Sequence, residues 1–218
     1  MRPAILVVVT VFLVIGCARR SALLDPLPTA LSRPAPDSFI VAFETTRGRF
    51  DVRIRRGWAP IGADRLHYLV RKGYYNGARF FRVVPGFVVQ FGLAADPAVS
   101  QAWTGRTLRD DRVRSTNHRG SLSFARGGPN SRTTQLFVNL RDNARLDTLG
   151  GFGFPPLGEV MGNGMAVVDS IYAGYGEQAP RGAGPVQDSL RVQGEAYVAK
   201  HFPRLDAITR AWIVRDFR

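Results

Sequence analysis

The chain has 218 residues, 45% of them hydrophobic, and a formal net charge of +13 at pH 7. This length and composition allow one good-sized hydrophobic core, and no repeat with a period of about 20–50 residues is present, which argues against a repeat architecture. A single cysteine excludes an intramolecular disulfide, and the 23 glycines and 14 prolines favour short strands and turns over long helices.

The first 16 residues have the pattern of a secretory signal peptide. One early positive charge precedes an apolar run over residues 4–15, which is too short to span a membrane as a helix. Gly16 and Cys17 follow this run, and VIGC at 14–17 resembles the bacterial lipobox, in which the cysteine becomes the lipidated N-terminus. The alternative is an ordinary signal peptide with an incidental cysteine. We predict residues 1–16 as a lipoprotein signal peptide and Cys17 as the lipidated residue.

Residues 17–37 are rich in proline, alanine and serine and have little periodicity, so they are predicted to form a tether between the lipid and a folded domain at 38–218. A lipid anchor would place the protein in the bacterial cell envelope, attached to a membrane. Alanine rather than aspartate follows Cys17, which implies sorting to the outer membrane, with the domain facing the periplasm.

The positive charge is scattered along the chain. In RGRFDVRIRR at 47–56, arginines alternate with apolar residues, which is the period of a strand with one solvated and one buried face. We favour a solvated face over a nucleic-acid footprint, and the secretory signal also argues against a nucleic-acid partner.

The predicted elements begin with two strands over 39–56, joined by a turn at 46–48, and a helix over 59–77 that starts near Pro60 and stops at Gly73. The later elements are a strand–turn–strand at 80–92, a polar loop at 93–119, strands at 121–125, at 133–140 and after the loop that starts at 146, helices at 165–176 and 188–202, and a strand at 207–214. Many antiparallel strands with a few covering helices predict a mainly β fold, a closed antiparallel β-barrel.

The usual catalytic patterns are missing from the sequence. His67, His118 and His201 lie far apart without a partner at metal-ligand spacing, so we expect no metal site. No G-x-S-x-G elbow and no glycine-rich phosphate loop is present. We therefore expect no cofactor, and chemistry that needs only positioning and electrostatics.

Two segments together resemble the cyclophilin family of peptidyl-prolyl cis-trans isomerases. They are FFRVVPGFVVQFG at 80–92 and GSLSFARGGPNSRTTQLFVNL at 120–140, and with RLDTLGGFGFPPLGEV the resemblance covers about residues 39–214. It implies an eight-stranded closed antiparallel barrel capped by two or more helices, peptidyl-prolyl cis-trans isomerase activity (EC 5.2.1.8) on proline-containing polypeptides of the envelope, no cofactor and a monomer.

The resemblance also implies roles for individual residues. The predicted catalytic residues are Arg82 and Gln90. The predicted substrate-binding residues are Phe87, Val88, Ala125, Arg126, Gln135, Leu136, Phe137, Leu146 and Phe154. Arg145 stands at a position where drug-sensitive members of the family have tryptophan. Arg126 stands where many members have asparagine, and this change to a cation favours acidic substrates.

Two rival interpretations stay open at this point. The same barrel could bind proline-containing segments, or act as a chaperone, without catalysing isomerisation; Arg82 and Gln90 together argue against this. The chain could also be an arginine-rich structural lipoprotein that binds anionic polymers. For each apolar groove residue, the alternative to substrate binding is a place in the barrel core.

Overall fold

A computed structural model describes residues 22–217 of the chain. Its eight strands pair through antiparallel ladders in one sheet, in the order β3–β4–β6–β5–β7–β2–β1–β8. The strands are β1 Ser38–Thr45, β2 Gly48–Arg55, β3 Arg82–Val84, β4 Val88–Phe91, β5 Ser121–Phe124, β6 Leu136–Asn139, β7 Pro156–Val160 and β8 Ile208–Phe217. The prediction of a mainly β fold with eight antiparallel strands is confirmed.

The sheet curls into a half-barrel whose two end strands are β3 and β8. Among residues 22–217 no ladder joins these two strands. The chain just before each of them makes an isolated bridge between Arg79 and Ala207, and the Phe80 amide donates to the Asp206 carbonyl at 3.0 Å. The predicted closure of the barrel is therefore not shown by strand pairing.

Alternation of side chains along β2 sets the two faces of the sheet. Phe50, Val52 and Ile54 are at most 1% exposed and belong to the main core, whereas Arg49 and Arg53 lie on the opposite, solvated face. The core continues across the sheet into aromatic contacts, such as the stacked pair of Phe43 and Phe50. The predicted period-two strand is confirmed.

Six α-helices lie entirely within the described residues: α1 Pro28–Leu31, α2 Pro60–Lys72, α3 Pro97–Ala102, α4 Gly164–Asp169, α5 Gln187–Gln193 and α6 Glu195–His201. The predicted helix at 59–77 is confirmed as α2, which ends at Gly73 in the left-handed conformation with φ 76°. The helix predicted over 165–176 is shorter, and the loop predicted at 93–119 contains α3. None of the helices within residues 22–217 has the length and apolarity of a membrane span.

The single helix predicted over 188–202 is wrong. Gly194 separates α5 from α6 with φ 55° and ψ −130°, a conformation that L side chains avoid. A Cβ atom at this position would lie 2.8 Å from a side-chain carbon of Pro97. The chain therefore turns where α5 meets the start of α3, and the two short helices bury Leu190 and Val198 in a second apolar cluster.

The segment predicted as a tether packs against the domain from residue 22 onward. Leu23 and Ala35 are each 7% exposed within the main core cluster. The indole Nε1 of Trp103 donates to the Leu23 carbonyl at 2.8 Å. This corrects the predicted boundary at 38, because apolar side chains and backbone hydrogen bonds hold residues 22–37 in place. The predicted signal peptide and Cys17 lie outside the described residues.

Candidate active site

Strand pairing brings the predicted catalytic residues together. Arg82 of β3 lies directly opposite Gln90 of β4, and Gln90 lies opposite Phe137 of β6. Side chains of paired residues point to the same face of a sheet. The guanidinium, the amide and the aromatic ring therefore share one surface patch, although Arg82 and Phe137 are far apart in the sequence.

This patch forms one side of an open groove with a volume of about 370 Å³. Nine of the predicted site residues line it: Arg82, Phe87, Val88, Gln90, Ala125, Arg126, Phe137, Leu146 and Phe154. Five residues that the sequence did not single out complete the lining: Leu149, Glu177, Gln178, Arg181 and Gln187.

The apolar floor of the groove is separate from the main core. Val88, Phe137 and Leu146 are 2–4% exposed and form a cluster of their own, against which Phe87 and Phe154 pack. The rings of Phe137 and Phe154 meet edge to face, with 5.7 Å between centroids. These side chains therefore lie outside the main core cluster and line the groove, although the first three are buried.

A chain of side-chain hydrogen bonds runs from the lining of the groove through Gln90 to Gln135. Arg82 Nη1 donates to Gln90 Oε1 at 3.0 Å, and Gln90 Nε2 donates to Gln135 Oε1 at 2.8 Å. Gln135 thus contacts Gln90 and does not line the cavity. Leu136 is also outside the groove, because its side chain is fully buried in the main core.

Arg82 has a carboxylate partner that the sequence did not predict. Its Nε and Nη2 atoms donate to the two carboxylate oxygens of Glu177 at 2.6 and 2.7 Å, and the two side chains are 21% and 18% exposed. The hydrogen bond from Arg82 lowers the pKa of Glu177. No local signal marks Glu177, which lies 95 residues after Arg82 in the irregular segment between α4 and α5.

Buried asparagines hold the walls of the groove, and they too were missed. Asn143 Nδ2 donates to the Phe87 carbonyl at 3.0 Å, and Asn117 Nδ2 donates to the Phe154 carbonyl at 2.9 Å. Both asparagines are at most 2% exposed. Satisfied buried polar groups of this kind fix loop backbones in one arrangement, so the groove is formed before a ligand arrives.

Arg126 lies within the wall of the groove. Its guanidinium carbon is 4.9 Å from the ring centroid of Phe154 and 5.4 Å from that of Phe152, and its side chain is 5% exposed. Its Nε atom is buried without a hydrogen-bond partner. Arg145 differs, since it is exposed and its guanidinium carbon lies 5.2 Å from the Phe87 ring centroid.

Comparison with known proteins agrees with the geometry of the groove. The family model for cyclophilin type peptidyl-prolyl cis-trans isomerases matches residues 40–192. A peptidyl-prolyl cis-trans isomerase of Acinetobacter baylyi is 31% identical over 144 residues, covering 65% of this chain and 76% of the relative. Peptidyl-prolyl cis-trans isomerase B of Escherichia coli is 33% identical over 138 residues, covering 61% and 83%.

The fold is also similar to that of a solved structure. The crystal structure of a cyclophilin type peptidyl-prolyl cis-trans isomerase from Cryptosporidium parvum superposes with a TM-score of 0.58 and 17% sequence identity. The match covers 83% of this chain and 99% of that chain. At this identity the likeness concerns the fold alone.

Proposed function

Because the chain belongs to the cyclophilin-type peptidyl-prolyl cis-trans isomerase family, we propose that the groove described above is where it acts. Its activity is peptidyl-prolyl cis-trans isomerisation, and its substrates are proline-containing polypeptides. The observation that carries the assignment of the site is the position of Arg82, whose guanidinium lies at the edge of an apolar pocket.

The chemistry explains why a fixed guanidinium is useful there. The nitrogen lone pair of an X-Pro amide is delocalised, which gives a rotation barrier of roughly 18–20 kcal/mol and times of tens to hundreds of seconds per event. Twisting the bond localises the lone pair on the proline nitrogen. Arg82 then has an acceptor that the planar ground state lacks, so its hydrogen bond favours the transition state.

The apolar residues supply the remaining stabilisation. Turnover in milliseconds needs about 6–7 kcal/mol of transition-state stabilisation, and one well-placed donor in a water-poor site contributes about 3–4 kcal/mol. Phe87, Phe137 and Leu146 hold the pyrrolidine ring and exclude water. Gln90 orients Arg82, and Gln135 supports Gln90.

A protease-coupled assay on an Ala-Pro peptide tests this assignment. We expect Arg82→Ala to lower kcat/KM by roughly 10²–10³, with a melting temperature close to that of the wild type. Arg82→Lys should recover only a fraction, because the charge stays while the planar fork is lost. Wild-type turnover in Arg82→Ala would refute the role of Arg82. A wild type that binds the peptide without accelerating isomerisation would favour the binding-module alternative.

We also propose that the protein is a monomeric lipoprotein of the outer membrane, facing the periplasm, where it assists the folding of envelope proteins. The support is the apolar run at 4–15 followed by Cys17 and Ala18. Cys17→Ser should move the protein from the membrane fraction to the soluble fraction of cells. Retention of the variant in the membrane fraction would contradict lipidation at Cys17.

We also propose that the barrel is closed, on the basis of two backbone contacts. The bridge between Arg79 and Ala207 and the hydrogen bond from the Ile208 amide to the Ala78 carbonyl at 2.9 Å join the two ends of the sheet. Hydrogen exchange at Ile208 and Phe80 measures this closure. Protection factors as high as those of β4 amides would support it, and rapid exchange would refute it.

A further inference from the structure

The segment between α4 and α5 brings a carboxylate to the catalytic arginine. Glu177 binds the side edge of the Arg82 guanidinium through two hydrogen bonds, at 2.6 and 2.7 Å. Paired, two-point contacts between a guanidinium and a carboxylate fix orientation as well as distance. Glu177 could therefore either hold Arg82 in place or compete with the substrate for it.

A count of donors distinguishes the two possibilities. A guanidinium has five N–H groups, and Arg82 uses three: two toward Glu177 and one, on Nη1, toward Gln90. Two N–H groups are left, one on each terminal nitrogen. Glu177 and Gln90 thus grip the guanidinium from two directions without using all of its donors.

The backbone around Glu177 is built to hold that carboxylate in place. The Gly184 amide donates to the Glu177 carbonyl at 2.8 Å, and a Cβ atom at position 182 would lie 2.1 Å from the same carbonyl oxygen. Only glycine fits at such a distance. Just before Glu177, the Tyr175 ring packs on Phe202, with 5.1 Å between centroids.

The apolar cluster under this segment also contains the residue next to Arg82. Phe81 packs with Leu190 of α5 and Val198 of α6, and Tyr175 lies against the same cluster. One packed unit therefore sets both the start of β3 and the position of Glu177. The two C-terminal helices otherwise contribute only Gln187 to the groove.

From this geometry we propose that Glu177 is a positioning residue for Arg82 and does not block the site. The proposal rests on the proposed function, in which Arg82 donates to the twisted amide. Glu177 and Gln90 together hold the guanidinium at the angle at which its free N–H groups meet the proline nitrogen. Loss of the Glu177 carboxylate lets Arg82 leave that geometry. This lowers the rate of the chemical step more than it weakens substrate binding.

The test is steady-state kinetics on the Ala-Pro peptide with Glu177→Ala and Glu177→Gln. We expect Glu177→Ala to lower kcat about 10-fold, the scale of a lost positioning contact, with KM within about twofold of the wild type. Glu177→Gln keeps the length and one acceptor oxygen, so it should recover part of the loss. Asp169→Ala is the matched control, because it removes an exposed carboxylate partner of Arg119 that does not line the groove and should change neither constant.

A double variant shows whether Glu177 acts through Arg82. In the Arg82→Ala background, Glu177→Ala should cause no further loss of kcat, because the group that it positions is gone. Thermal melts of every variant confirm folding, and if Glu177→Ala does not fold, the isosteric Glu177→Gln decides by its own kcat.

Three results would overturn the proposal: a higher kcat/KM in Glu177→Ala, which would mean competition with substrate; unchanged kinetics; or losses that add fully in the double variant. Failure of the proposed function looks different. Arg82→Ala would then retain wild-type turnover, whatever the Glu177 variants do.

Discussion

Gln90 accepts a hydrogen bond from Arg82 Nη1 at 3.0 Å and donates one to Gln135 at 2.8 Å, so both ends of its amide are occupied. The direction of this chain is determined by Arg82, which can only donate. Gln90 must therefore turn its oxygen to Arg82 and its NH₂ group to Gln135. The orientation of the guanidinium thus depends on a residue that is itself 7% exposed and held on the far side.

Gln90→Leu tests this dependence, because leucine keeps most of the volume and removes both hydrogen bonds. We expect kcat to fall about 10-fold with little change in melting temperature, since Arg82 keeps Glu177. Gln135→Ala should have a smaller effect, because it leaves the bond between Gln90 and Arg82 in place. Equal activity of Gln90→Leu and the wild type would show that Glu177 alone orients the arginine.

Phe137 serves the groove and the packing beneath it at once. Phe137→Ala should lower the free energy of unfolding by about 3–5 kcal/mol and abolish most of the activity. The matched control is Phe124→Ala, since Phe124 is 1% exposed in the main core and does not line the groove. We expect similar destabilisation in denaturant melts of both variants, but a large loss of kcat/KM in Phe137→Ala alone. A comparable loss in both would mean that destabilisation, not the pocket, lowers activity.

The sequence predicted the structure correctly where a local pattern or the long family motif marks the residues. Alternation along β2 and the stop at Gly73 predicted elements that the structure has, and the family motif predicted nine residues that line one groove. Prediction from the sequence failed where tertiary packing determines the local structure. Nothing local predicts that Gly194 divides a helix, or that Glu177 meets Arg82 from 95 residues away.

The packed segment at 22–37 corrects the tether and gives a stability prediction. Leu23→Ala should lower the free energy of unfolding by about 2 kcal/mol, the lower end for a buried leucine. Leu27→Ala is the control in the same segment, because Leu27 is 67% exposed and should cost little. A chain that begins at residue 38 should be less stable than one that begins at 22, by denaturant melts. Equal stability of these two chains would restore the tether interpretation.

The surroundings of Arg126 determine how far its charge acts on a substrate. Its position suggested a preference for acidic substrates, but its guanidinium packs against Phe152 and Phe154 and its Nη1 faces an Asp110 oxygen at 3.9 Å. A cation covered in this way braces the wall of the groove and projects little charge into it. Arg145, by contrast, is exposed beside Phe87, and none of the ion pairs found among residues 22–217 includes it.

We therefore expect Arg126→Ala to lower kcat/KM up to about 30-fold, since a desolvated cation–π contact contributes up to roughly 2 kcal/mol and each 1.36 kcal/mol corresponds to about tenfold in rate. The loss should be the same for Glu-Pro, Ala-Pro and Lys-Pro peptides. Arg126→Lys should not restore activity, because an ammonium lacks the flat face that stacks between rings. Arg145→Ala should instead reduce turnover of the Glu-Pro peptide selectively, and more at low salt than at high salt. A selective Glu-Pro loss in Arg126→Ala would show that its charge reaches the substrate after all.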